Sequence, residues 1–353
     1  MHETLALLII VLVLAVIFDF INGFHDTANA IATVVATRVL TPMQAILMAA
    51  SLNFLGAMAG TAVAKTIASG LIDPKLATQH LMVAALLAAI TWNLITWFFG
   101  IPSSSSHAIM GSIVGAGIAQ AGFGAPKWAG LVEKVLIPLI ASPIIGFALA
   151  WAIMIVLLRL FIRRTPSFVQ NRFGKLQLLS SAFMAFSHGS NDGQKTMGVM
   201  TLAVAGYLST PGVPVPDWIA MLGIVNYVPG TEMQIPVGIK LIAALAMGLG
   251  TAAGGWRIIK TMGHKLTRLQ PIHGFAAETA AATIIETASR LGFPLSTTHV
   301  ISTSIMGAGA SRRMSNVKWG VAGNIFTAWI LTIPICMLLS AGFYTVLRVA
   351  FGD

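Results

Sequence analysis

Five carboxylates stand where a carboxylate is costly: Asp19, Asp26, Asp192, Glu278 and Glu286 all interrupt long apolar runs. A charged side chain at the centre of a bilayer costs at least ~2.5–3.5 kcal/mol, so acids placed there point to an ion pathway rather than to packing. Lys195 and Arg290 are the cations in comparable positions, which leaves a formal charge of −3 inside these segments. Glu286 and Arg290 stand four apart and fit a helical ion pair, structural or functional. Asp19 and Asp26 stand seven apart and share one face of a regular helix. Asn22, Gly23 and Gly189 mark where the backbone is expected to open, exposing carbonyls to a cation and amides to an anion. Asn29 and Asn191 add neutral oxygens beside the aspartates, a set suited to a hard cation.

Hydroxyl clusters supply the opposite chemistry. Ser103, Ser104, Ser105 and Ser106 follow Pro102, and Ser296, Thr297 and Thr298 follow Pro294. Proline ahead of a hydroxyl run predicts a helix N-terminus, with unpaired amides and the positive dipole end. Two such ends facing one another make a shell of neutral donors for a small tetrahedral oxyanion. One end alone would read as plain N-capping. His107 and His299 follow the clusters at matching places and fit hydrogen bonding between helices. His25 and His188 flank the aspartates, where an imidazole can carry coupled protons. The 17 methionines and most aromatic residues fit core and lipid contact.

These groups must be held by membrane-spanning helices. The 353 residues are 56% hydrophobic and 9% charged, against about 25% charged in soluble domains. Mean hydropathy is +0.85. The net charge of +10 gathers in no tract dense enough for nucleic acid. A lone Cys336 forms no intramolecular disulfide. Neither a nucleotide-binding loop nor an H-E-x-x-H zinc motif is present, which argues against ATP-driven pumping and against an intramembrane metal hydrolase built on His107, His299 and Asp26. Apolar runs at about 5–37, 43–65, 81–100, 130–162, 178–206, 236–257 and 318–350 suit helical spans, several interrupted by Gly or Pro. The start Met1-His2-Glu3 lacks the basic n-region of a signal peptide.

The loops divide by charge. Arg38, Arg159, Arg163, Arg164, Arg172, Lys175, Arg257, Lys260, Lys265, Arg268, Arg312, Arg313 and Lys318 form one group with no acidic member. Asp73, Glu133, Asp217 and Glu232, beside Lys65, Lys75, Lys127 and Lys134, form the other. The positive-inside rule puts the first group in the cytoplasm. Both termini then lie outside, provided that 81–119 and 272–310 are hairpins that enter and leave on one side.

An internal repeat decides the architecture. Residues 100–117, GIPSSSSHAIMGSIVGAG, match residues 292–309, GFPLSTTHVISTSIMGAG, at ten of 18 positions. Gly23-Phe24-His25-Asp26 matches Gly189-Ser190-Asn191-Asp192 more briefly. Residues 1–162 then form a first repeat, 163–177 a basic cytoplasmic linker, and 178–353 a second repeat. Each repeat holds three spans plus a hairpin, an odd number, so the two run in opposite directions. The fold class is all-α: a polytopic membrane protein of two inverted repeats with broken helices and re-entrant hairpins, the build of secondary transporters with a site at the midplane. A channel could share this symmetry.

With these motifs assembled, the chain resembles the PiT family of inorganic phosphate transporters along essentially its whole length. The family's G-x-N-D-x-x-N type motif reads Gly23-Phe24-His25-Asp26-Thr27-Ala28-Asn29 and Gly189-Ser190-Asn191-Asp192-Gly193-Gln194-Lys195 here. The resemblance implies symport of phosphate by a homodimer, with no cofactor. Carried over by position, it implies that Asp26, Asn29, Asp192 and Asn191 bind coupling cation and substrate and that the hydroxyl clusters cradle phosphate; joined to the residue readings above, this gives an anion set of Ser104, Ser105, Ser106, Ser296, Thr297, Thr298, Asn191 and Lys195. Coupling cations fall to Asp26, Asn29, Asp192, His25, Asp19 and Glu278. His25 and Lys195 depart from the Asn-rich pattern. The string FINGFHDTANAIATVV resembles the bacterial branch, which implies an inner-membrane carrier coupled to H⁺ or Na⁺ and possible transport of phosphate as a Mg²⁺ or Ca²⁺ complex. A fixed ammonium at Lys195 could replace one bound cation beside Asp192. Sulfate is the alternative anion, because the same family includes sulfate permeases. An anion channel is the alternative class.

Overall fold

With no water in the hydrocarbon to satisfy peptide groups, a chain this apolar must pair its backbone within each segment, as helix. The computed structural model describes residues 2–209, 216–221, 223, 224 and 234–351, and among these no strand forms. Glu232 lies outside the described residues. The first half contains α1 (His2–Ala36), α2 (Pro42–Ala59), α3 (Ala62–Gly70), α4 (Gln79–Phe99), α5 (Ser105–Ala121), α6 (Trp128–Leu131) and α7 (Ile137–Leu160). A π-turn joins α6 and α7 into one run, Trp128–Leu160. The second half contains α8 (Pro166–Leu208), α9 (Asp217–Met221), α10 (Val237–Ala253), α11 (Trp256–Lys260), α12 (Pro271–Arg290), α13 (Thr297–Ala310) and α14 (Trp319–Phe351).

α1, α2, α4, the α6–α7 run and α14 are each long and apolar enough to cross a bilayer. The α10–α11 pair, bent by 60°, makes a sixth candidate. Their outward faces expose apolar side chains such as Ile9, Val13, Ile140, Ile144, Ile330 and Leu338. The chain is a multi-pass membrane protein.

One order of elements occurs twice: long helix, broken helix, helical hairpin, long helix. Packing is exchanged between the halves. α1 lies on α10 as α8 lies on α2, and α5 lies on α14 as α13 lies on α7. Proline recurs at matching points inside α7 and α14, Pro143 and Pro334. Glycine makes the crossings possible. A Cβ on Gly115 would stand 2.2 Å from Met337 O, and one on Gly307 the same 2.2 Å from Phe147 O.

The expected opening at Gly23 and Gly189 does not occur. α1 and α8 run unbroken through both motifs, 35 and 43 residues long. These glycines serve close approach instead: a Cβ on Gly23 would stand 2.6 Å from Met247 O, and on Gly189 2.2 Å from Asn53 O. The breaks fall in the neighbouring helices, between α2 and α3 and between α10 and α11. The basic segment 163–177 is likewise no free linker, since α8 begins at Pro166 with Thr165 as its N-cap.

Each hairpin returns to the end from which it starts. Thr78, ahead of α4, donates to Gln120 at the end of α5 (3.1 Å). Lys318 N, after α13, donates to Leu266 O before α12 (2.9 Å). The tips turn alike, with left-handed Gly100 (φ +65) and Gly292 (φ +77), conformations that cost glycine little. Ile101 N pairs with Thr96 O (2.9 Å) and Phe293 N with Ala288 O (2.8 Å), closing both helices the same way.

Because Gly189 admits no side chain, Gly189→Val should separate α8 from α2 and lower the unfolding temperature of the purified protein by the equivalent of roughly 1–3 kcal/mol or more. Gly124→Val, at a position with nothing within 4 Å, is the control and should leave it unchanged. Equal unfolding temperatures for the two variants would contradict the packing.

Candidate functional site

A polar stripe runs down one face of α1, Asp19, Asn22, Asp26, Asn29 and Thr33, and continues to Thr37 in the turn just past its end, spaced by three or four residues. α8 carries the matching stripe: Gln177, Ser180, His188, Asp192 and Lys195. The two helices cross antiparallel. Thr37 donates to Gln177 at one end of the crossing (2.8 Å). At its middle, ligand atoms of Asp26, His188 and Asp192 all lie within 4.8 Å of one another. All three side chains are buried.

The hairpin tips close over this point. Ser105 Oγ faces Asp26 Oδ2 (2.8 Å) and Asn22 Oδ1 (2.6 Å), and can donate to either. Thr297 donates to Asp192 Oδ2 (3.3 Å) and Thr298 to Asp26 Oδ1 (3.4 Å). Asn29 Nδ2 donates to Thr298 Oγ1 (2.9 Å) and Thr297 Oγ1 (3.2 Å). Lys195 Nζ donates to Asp192 Oδ1 (2.6 Å) and also to Ser106 Oγ. Thus Asn29 of the first half reaches Thr298 of the second, while Lys195 of the second reaches Ser106 of the first.

Ser104 and Ser296 are the N-caps, each accepting from a histidine amide, His107 N and His299 N (both 3.2 Å). For these two the plain capping role holds. The opening turns of α5 and α13, which begin at Ser105 and Thr297, still direct free amides and the positive dipole end at the site.

His188 sets the electrostatics. Asn53 Nδ2 donates to Thr251 Oγ1 (2.8 Å), so Asn53 Oδ1 is an acceptor, and His188 Nδ1 donates to it (3.1 Å). That bond turns Nε2 toward Asp192 Oδ2, 3.6 Å away and without a hydrogen-bond partner. One ligand atom from each of Asp26, His188 and Asp192 thus faces the same point. A histidine that donates one ring N–H to a carbonyl oxygen presents its other nitrogen as a cation ligand. His188 was legible in the sequence only as a flanking imidazole; the acceptor at Asn53, 135 residues away, could not be read there.

The other expected residues separate. His25 donates from Nδ1 to Asp26 Oδ1 (2.8 Å) and meets Thr96 with Nε2 (3.0 Å). Asn191, its counterpart, donates to Ser289 (2.9 Å) and Phe293 O (3.2 Å). Both tie a motif to the hairpin of its own half. Glu278 is buried away from the centre, bonded by Thr33, Ser180 and Gln177. Twelve residues of α8 part Ser180 from Asp192, about 18 Å. Asp19 is also buried, two turns from Asp26, with both carboxylate oxygens unbonded. Glu286 and Arg290 pair at 2.9 Å with Arg290 exposed, outside the site. His107 and His299 meet edge to face, ring centroids 4.7 Å apart, and His299 stacks on Trp329, which fits packing. Gln194 had no assigned role; its Oε1 accepts from Val63 N (2.9 Å) and so caps α3 at the α2–α3 break.

Lys195 is the residue whose loss should be felt most. Lys195→Met strands a buried carboxylate and should cost roughly 3–5 kcal/mol, whereas Lys195→Met with Asp192→Asn should recover most of it. Thermal unfolding of the purified protein reads both; additive losses in the double variant would contradict the pair.

The model of the phosphate transporter family matches residues 22–340. A protein of Rhizobium meliloti is 45% identical over 346 residues, covering 97% of each chain, and is named "Probable low-affinity inorganic phosphate transporter". A Bacillus subtilis protein of the same name is 44% identical, covering 99% of this chain and 100% of its own. Among solved structures, one described as "The sodium-dependent phosphate transporter" superposes with a TM-score of 0.81 at 28% identity, over 98% of this chain and 99% of that one.

Proposed function

The chain belongs to the phosphate transporter family, a family of carriers rather than enzymes, and from that premise we propose that it is a secondary symporter of inorganic phosphate. The observation that carries this reading is the facing trio of Asp26, His188 and Asp192, under two hydroxyl-lined helix N-termini. A phosphate anion entering here meets two carboxylates. At an effective dielectric near 20, two unit charges about 4 Å apart repel by about 4 kcal/mol. The anion therefore enters only with positive charge, and co-binding is the coupling.

In this reading the trio holds the coupling cation, and Ser105, Ser106, Thr297, Thr298, Asn29 and Lys195 hold phosphate. Lys195 already neutralises Asp192, so Asp26 awaits the incoming charge. An imidazole nitrogen suits H⁺ or a divalent ion carried with phosphate better than it suits Na⁺, which favours all-oxygen sets. Asp19 and Glu278, on opposite sides of the trio along the crossing, are way stations for that cation. The halves are inverted repeats that rock about this site. The carrier works as a homodimer in a bacterial inner membrane, with basic loops inside and both termini outside.

Asp26→Asn should abolish phosphate uptake into proteoliposomes while the protein stays folded, and so should Asp192→Asn combined with Lys195→Met, which leaves no stranded charge. An imposed pH gradient, with or without Mg²⁺, should drive wild-type uptake better than a sodium gradient. Uptake that ignores every cation gradient, or near-normal uptake by either variant, contradicts the proposal.

Orientation has its own test. The one native cysteine, Cys336, is buried. A membrane-impermeant maleimide should label Gly124→Cys in intact cells and Ser167→Cys only after permeabilisation. The reverse pattern would invert the topology.

A further inference from the structure

The loops that carry the basic residues converge at one end of the molecule. There the last turns of α7, the 161–165 turn, the start of α12 and Arg312 enclose a cavity of about 390 Å³. We propose that this cavity binds the headgroup and upper acyl chain of an anionic phospholipid. The proposal is independent of which cation drives transport.

The upper part of the cavity is built for a phosphate group. Arg164 and Arg312 line it. Among the described residues neither has a carboxylate within ion-pair distance. Segments 157–177, 257–273 and 311–318 contain no Asp or Glu at all. His273, also in the lining, has a buried Nδ1 with no hydrogen-bond partner. α12 begins at the same place, with Pro271 in its first turn and no side chain capping it, so its positive end faces the cavity.

The lower wall is built for hydrocarbon. Met154, Leu157, Leu158 and Phe161 line it along the inner face of α7, a length of about 10 Å on a helix axis. Ile162 closes the outer rim and is 79% exposed. A free phosphate ion has no use for such a wall. A basic pocket between helix ends, with one wall of apolar side chains, has the amphipathic layout of a lipid headgroup site.

The position gives the site a consequence. α7 packs on both arms of the hairpin α12–α13, and the tip of that hairpin presents Thr297 and Thr298. A lipid seated between α7 and the first turn of α12 braces the hairpin from the end opposite its tip.

Thermal unfolding of the detergent-purified protein tests the site, with phosphatidylglycerol, phosphatidylcholine or inorganic phosphate added separately. Phosphatidylglycerol should raise the Tm of the wild type by several degrees and phosphatidylcholine should not. The shift should vanish in R164Q/R312Q and persist in R313Q, whose residue lies outside the cavity. If the double variant does not fold, each single variant should show a reduced shift. An equal shift from phosphatidylcholine, or an undiminished one in R164Q/R312Q, would overturn the proposal. So would a shift from inorganic phosphate alone that the double variant loses, since that would assign the cavity to a free anion. A phosphate shift that survives in R164Q/R312Q belongs to the transport site, and then a phosphatidylglycerol shift lost in the same variant sustains the lipid site.

Discussion

Two buried carboxylates at one point, Asp26 on α1 and Asp192 on α8, are the constraint around which the rest is arranged. Brought together uncompensated they would drive the crossing apart, since the low dielectric that strengthens hydrogen bonds also strengthens repulsion. The surroundings answer with donors. Ser105, Thr297 and Thr298 donate through hydroxyls, His25 through a ring nitrogen and Lys195 through an ammonium. Every donor but His25 and Lys195 comes from a hairpin tip, so the hairpins bring neutral hydrogen bonds to the middle of the protein. The repulsion between the two acids is thus offset by partners that the protein itself supplies.

The close crossing depends on absent side chains. Gly23, Gly189, Gly115 and Gly307 each sit against a backbone carbonyl of the other half. Because those contacts are exchanged between halves, the two motif helices are pinned at the same depth, and the aspartates meet rather than pass. Gln194 adds a local device: by capping the first amides of α3 it makes the break after α2 tolerable in an apolar setting.

Much of this was legible in the chain. The Pro-hydroxyl-His strings mark the hairpin tips because proline and a hydroxyl N-cap act within four residues, a range the sequence displays. The acids inside apolar runs mark the site because their insertion cost is local too. What failed to show was whatever depends on a distant partner. Glycine in a motif reads equally as a hinge or as a close contact; Asn53 and Met247 decide for contact, and they lie in other helices. Glu278 reads like the other buried acids, yet Thr33, Ser180 and Gln177 satisfy it well away from the centre. Asn191 carries the family motif, yet Ser289 and Phe293 take its amide.

The framework repeats but the charges do not, and the difference lies in the site. Asn29 and Lys195 occupy matching places and make matching reaches across the halves, one neutral and one cationic. Asn22 and His188 also match by position, and the imidazole takes up the acceptor face that an amide would share between donor and acceptor. These replacements move positive charge to the Asp192 side and leave Asp26 as the carboxylate with no permanent cation. In a site of equal halves, an incoming cation and anion could settle either way round. In the proposed reading the ammonium biases the anion toward Ser106 and Lys195, and the oxygens beside Asp26 are left for the cation. The asymmetry of the site thus rests on two side chains, set within a scaffold whose repeat supplies only the meeting place.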